Sequence, residues 1–124
     1  MISVRYIGDN VDKAISFYRD LLGFKVDMHP VPGFAALSHG ELRLLLNQPG
    51  AGGAGQSTPG GEAPAPGGWN RFQIAVSDFN GIVAALRAQD CRFRGDIVQG
   101  NGGRQILLED LSGNPVELFE PARR

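Results

Sequence analysis

At 124 residues, with 42% apolar and 20% charged side chains, the chain has the size and composition of one globular domain rather than of a disordered or fibrous segment. Twelve Lys+Arg against 13 Asp+Glu leave a net charge of −1, so there is no broad basic field to attract nucleic acid or an anionic membrane surface. Cys91 is the single cysteine, which excludes an intramolecular disulfide and a multi-cysteine metal cluster. The N-terminus lacks a basic segment followed by an apolar run, and the expectation is a soluble, cytoplasmic protein.

Residues 3–7 alternate apolar with polar and predict a strand. Asp9 or Asn10 then caps a helix whose Val11, Ala14, Ile15, Tyr18, Leu21 and Leu22 fall on one side, with Gly23 ending it. Two further strands are expected over 33–38 and 41–48. Residues 49–68, almost all Gly, Pro and Ala, have no side chains with which to build a core and read as a long flexible linker. Its Gly50-Ala51-Gly52-Gly53-Ala54-Gly55 matches a dinucleotide-binding pattern, but Ser57-Thr58-Pro59 follows where a helix N-terminus would be needed.

The second half repeats the first at an offset of about 68 residues. Residues 71–76 alternate as a strand, Asp78 caps a helix carrying Ile82, Val83, Leu86 and Gln89, and Phe93 takes the place of Phe24. Strands over 104–109 and 115–120 close the half. The expected organisation is one domain, 1–124, with module 1 over about 1–48, the linker over 49–68 and module 2 over about 69–121.

The segments Ala14-Ile15-Ser16-Phe17-Tyr18-Arg19-Asp20-Leu21-Leu22-Gly23-Phe24 and Gly103-Arg104-Gln105-Ile106-Leu107-Leu108-Glu109-Asp110-Leu111-Ser112-Gly113-Asn114-Pro115-Val116-Glu117-Leu118-Phe119-Glu120-Pro121, taken with the duplication, resemble the vicinal oxygen chelate superfamily of glyoxalase I, bleomycin-resistance proteins and extradiol dioxygenases. The resemblance implies an α+β fold in which two βαβββ modules curl into a cup-shaped mixed sheet with the helices outside. It also implies a site inside the cup, which in the family's enzymes holds a divalent metal. Carried over one position at a time, the family's four metal positions become Ser3, Leu45, Arg71 and Glu117. Leu and a protonated Arg cannot donate to a cation, so no metal and no cofactor are expected.

Strand parity sorts the side chains into two faces. Val4, Tyr6, Leu42, Leu44, Leu46, Phe72, Ile74, Val76, Val116 and Leu118 form the face expected beneath the helices. The opposite face carries Ser3, Arg5, Ile7, Arg43, Leu45, Asn47, Arg71, Gln73, Ala75, Glu117 and Phe119. Such a mixture of Arg, Glu and amides on apolar walls suits either a solvated sheet face or a pocket for a ligand with carboxylate or carbonyl oxygens. His29 and Phe34, in a Pro-bounded segment with Met28, overhang the pocket on the second reading; His29 is otherwise a surface-loop residue. Trp69, the single tryptophan, either stacks on a ligand or seals the core.

Three readings follow. The first is a non-catalytic homodimer that sequesters an antibiotic or another oxygen-rich, partly apolar small molecule, as the family's resistance proteins do, through Ser3, Arg5, Arg43, Leu45, Asn47, Trp69, Arg71, Gln73, Glu117, Phe119, His29 and Phe34. The alternative is an enzyme, either a lyase or isomerase of the glyoxalase kind or a metal-independent one with Glu117 as its base. Neighbouring Arg residues lower a carboxylate's pKa and weaken it in that role. A chain that has lost its function and merely dimerises is a third reading.

Overall fold

In a computed structural model, which describes residues 1–123, each half of the chain forms a strand, a helix and three more strands. The first half comprises β1 (Ser3–Ile7), α1 (Val11–Ser16), β2 (Lys25–Val31), β3 (Phe34–His39) and β4 (Leu42–Asn47). Its sheet has the order β1-β4-β3-β2, with β1 parallel to β4 and the other pairs antiparallel. The second half comprises β5 (Phe72–Ala75), α2 (Phe79–Ala88), β6 (Val98–Gln99), β7 (Gly103–Glu109) and β8 (Pro115–Pro121), in the order β5-β8-β7-β6 with β5 parallel to β8. Two mixed sheets of identical topology, each with its own helix, give the α+β βαβββ repeat implied by the duplicated sequence. The chain divides into two units, Met1–Gly67 with Leu111–Asn114, and Gly68–Asp110 with the residues from Pro115 onward.

In the first unit Asn10 caps α1, its side chain accepting from the Lys13 N–H at 3.0 Å. The helix widens into a π-helical turn, Phe17–Leu21, which uses more residues per revolution than an α-helix. Periodicity places Leu21 and Leu22 inside; the widened turn instead buries Phe17 at 4% exposure beside Tyr18 and leaves the two leucines half-buried. Gly23 leaves the helix at φ +75°, a conformation that disfavours any residue with a Cβ. Phe17, Tyr18 and Phe24 then stack edge to face, with centroids 5.1 and 5.4 Å apart, and Leu37 and Leu44, paired across β3 and β4, are fully buried.

The Pro-bounded stretch read as an overhanging segment is a strand: β2 runs through His29 and Pro30 to Val31, and Pro32-Gly33 makes the turn. Register shifts on both sides of Met28 accommodate Pro30, which has no N–H to give to the ladder. Residues 49–68 form hydrogen-bonded turns. Gly55 donates to the Ala51 carbonyl and is buried, Thr58 and Glu62 bond to each other, and Gly67 donates to Asn114 Oδ1 at 2.8 Å.

In the second unit Asp78 caps α2, accepting from the Gly81 N–H at 3.2 Å, and Phe79, Val83 and Leu86 are buried. Asp90, at φ +57°, does for α2 what Gly23 does for α1, its N–H returning to the Arg87 carbonyl. Ile106, Leu108, Val116 and Leu118 are at most 1% exposed, each contributing about 1.5–3 kcal/mol by leaving water. Among the described residues no helix is long and apolar enough to cross a membrane.

Candidate functional site

Strand register fixes which side chains share the face turned away from each unit's buried core. In the first unit Ser3 pairs with Arg43, Arg5 with Leu45 and Ile7 with Asn47, and Phe34 lies across from Asn47 on β3. Ser3, Arg5, Arg43, Leu45, Asn47 and Phe34 therefore occupy one sheet face. Arg5 Nε donates to Asn47 Oδ1 at 2.9 Å, and Asn47 Nδ2 donates to the Ala51 carbonyl at 3.3 Å, so this buried amide ties the strand end to the turns of 49–68. Arg43 Nη1 points at the Met1 sulfur, 3.5 Å away. His29 stands apart from this group: its Nε2 lies 3.4 Å from Asp12 Oδ1 on α1, on the helix-bearing side.

In the second unit Gln73 pairs with Glu117 and Ala75 with Phe119 across the parallel β5–β8 ladder, while Leu107 and Gln105 of β7 continue the same rows. Arg71, just ahead of β5, donates to Glu117 Oε1 through Nε at 3.0 Å and Nη2 at 2.9 Å. Gln73 Nε2 donates to Oε2, so both carboxylate oxygens are engaged. The Glu117 side chain is only 10% exposed and that of Arg71 27%, so the pair sits where water screens it weakly.

A pocket of about 160 Å³ opens in this unit, walled by Trp69, Val98, Leu107 and the stem of Arg94, with Gln105 at its polar edge. The Arg94 guanidinium lies 4.7 Å from the Trp69 ring centroid. It is itself held by Glu109 at 2.9 Å and by the Gly68 carbonyl. Trp69 is 68% exposed, so it does not seal the core. Arg71 Nη1 donates to the Trp69 carbonyl at 3.3 Å, linking the pocket wall to the Arg71–Glu117 pair.

Sequence reasoning did not single out Arg94, Val98, Gln105 or Leu107 as site residues. The alternation Gln105-Ile106-Leu107-Leu108 carried the signal for two of them, since parity puts Gln105 and Leu107 opposite the buried Ile106 and Leu108. Arg94 lies in an irregular segment after α2, and Val98 in the two-residue strand β6, too short to show any periodicity.

The four positions at which the fold's enzymes hold a metal do not fit one here. In the first unit Ser3 and Leu45 offer at best one hydroxyl. In the second, Arg71 stands where a donor would be needed, and the Glu117 oxygens already accept from Arg71 and Gln73. Among the described residues no three His, Cys, Asp or Glu side chains converge so as to hold a metal ion. On Cys91, partial burial and the nearby Asp90 charge push the thiol pKa up, away from the thiolate a nucleophile would need.

Topology and register together define an α+β protein of the paired βαβββ class. The chain belongs to the Glyoxalase/Bleomycin resistance protein/Dioxygenase superfamily, whose family model matches residues 2–118. Among solved structures it is similar to TioX from Micromonospora sp. ML1 (TM-score 0.76, 17% identity, covering 98% of each chain). It is similar to the lactoylglutathione lyase of Agrobacterium tumefaciens (0.74, 20%, covering 97% of this chain and 92% of that one). A third is the genomically encoded fosfomycin resistance protein FosX of Listeria monocytogenes (0.73, 12%, 98% and 93%). No curated protein matches the sequence significantly. At these identities the structural likenesses speak for the fold alone.

Proposed function

We propose that the chain is a non-catalytic binding protein that sequesters an antibiotic or another oxygen-rich, partly apolar metabolite, working as a homodimer in the cytoplasm. The observation that carries this reading is the engagement of Glu117. The carboxylate that would serve as a base or metal ligand accepts from Arg71 at 2.9 and 3.0 Å and from Gln73. Both of its oxygens already accept from donors of the protein itself, so to take a proton from a guest it would have to compete with these hydrogen bonds. What remains beside it is an aromatic and aliphatic pocket edged by an amide, a surface suited to holding a molecule rather than reacting with it.

The test sets capture against turnover. Bleomycin, mitomycin C and fosfomycin are titrated by calorimetry. The same protein, with and without added Zn²⁺, Ni²⁺ or Mn²⁺, is assayed for isomerisation of the methylglyoxal–glutathione hemithioacetal and for opening of fosfomycin. Saturable binding without product formation supports sequestration, and enzymatic turnover of either substrate defeats it. Sedimentation equilibrium at micromolar concentration tests the dimer, which a monomer with and without bound ligand would overturn.

A further inference from the structure

We infer that the pocket beside Trp69 selects an uncharged, planar aromatic ring over an anionic or saturated one, an inference that rests on the binding-protein reading above and specifies which part of the ligand this pocket holds. Size comes first. The cavity of about 160 Å³ is close to that of an engineered apolar cavity of roughly 150 Å³ that takes up benzene. Its shape favours a flat guest, because one wall is a largely exposed indole whose position is set by the Arg94 guanidinium at 4.7 Å. Glu109 and the Gly68 carbonyl hold that guanidinium in turn, so a stacking ring meets a wall with little rotamer freedom left to lose.

Charge decides the rest. The two ionised groups at the pocket already have partners of opposite sign: Arg94 has Glu109 at 2.9 Å, and Asp96 has Arg87 at 3.0 Å. A carboxylate on the guest would have to displace Glu109 from Arg94, or give up its hydration against Val98 and Leu107 with no counter-charge in return. A neutral hydroxyl or carbonyl on the ring edge faces no such cost and can meet the Gln105 amide, which both donates and accepts. Arg94, the arginine that lines this pocket, is therefore committed to Glu109 and disfavours an acidic guest.

The experiment uses three probes on one carbon skeleton: 2-naphthol, 2-naphthoate and decahydro-2-naphthol, titrated into the full chain by calorimetry at pH 7. In parallel, the indole N–H resonance is followed by NMR; Trp69 is the sole tryptophan, so one signal reports on the wall. The expected result is that 2-naphthol binds about tenfold or more tightly than 2-naphthoate, is favoured over the saturated alcohol by about threefold or more, and shifts the indole signal. Trp69→Ala should weaken 2-naphthol binding by about fivefold or more and Trp69→Phe by less than about threefold, both variants keeping the wild-type thermal transition. Equal or tighter binding of 2-naphthoate, or of decahydro-2-naphthol, overturns the inference, as does a Trp69→Ala variant that binds 2-naphthol unchanged. Tight bleomycin or mitomycin C binding without this discrimination defeats the ring preference alone. Turnover of hemithioacetal or fosfomycin with the discrimination intact defeats the sequestration reading alone.

Discussion

Arg71 directs two N–H groups at one oxygen of Glu117, at 3.0 and 2.9 Å, while Gln73 takes the other oxygen. Because the Glu117 side chain is 10% exposed, removing the guanidinium leaves a weakly hydrated carboxylate with a single amide partner. Arg71→Ala is expected to lower stability by about 1–3 kcal/mol, and adding Glu117→Gln should restore part of that loss. Urea denaturation of both single variants and the double variant checks this; additive losses would show that the pair is not coupled.

On β7, adjacent leucines face opposite ways. Leu108 is fully buried, whereas Leu107 is half-buried and lines the pocket. Leu108→Ala should cost about 2–5 kcal/mol of stability. Leu107→Ala should cost less than half as much and weaken 2-naphthol binding. The reverse ranking would mean the strand faces are exchanged, since a one-residue slip moves every side chain to the other side.

Within residues 49–68, Gly55 and Gly53 differ in the room they leave for a side chain. A Cβ on Gly55 would run into the Ala51 and Gln48 carbonyl oxygens, while one on Gly53 would meet nothing within 4 Å. Gly55→Ala is expected to destabilise the protein by about 1–3 kcal/mol, and Gly53→Ala to stay within about 0.5 kcal/mol. Thermal melts of the two variants separate an ordered turn from a slack linker, in which both substitutions would be silent.

Asp96 is held below the ordinary carboxylate range, first by the Ile97 backbone N–H and then by the Arg87 guanidinium. A carboxyl whose pKa is depressed on folding stabilises the native state above its unfolded pKa, about 3.9, and loses that contribution as pH falls through the folded value. Asp96→Asn should therefore be less stable than the parent at pH 7, the gap narrowing as pH falls below about 4. Denaturation midpoints from pH 7 to pH 2.5 provide the check; a constant gap would mean the effect is not ionic.

The duplicated strand–helix–strand pattern, the caps at Asn10 and Asp78 and the parity that buries Tyr6, Leu44, Leu46, Phe72, Val116 and Leu118 were legible in the amino-acid sequence. Each depends on neighbours within a few residues, where period and side-chain chemistry act directly. The π-helical turn at Phe17–Leu21 was not, because tight packing of Phe17, Tyr18 and Phe24 overrides the regular helical period. Which partner each arginine chose was also hidden. Arg71 and Glu117 are 46 positions apart and Arg94 and Gly68 are 26 apart, so only the sheet register and the path of the irregular segment bring them together. The sequence set which residue types face away from the core. Tertiary structure decided that Arg71 compensates Glu117 and Arg94 compensates Glu109, because the free energy of a charge depends on what folding places within a few ångströms of it.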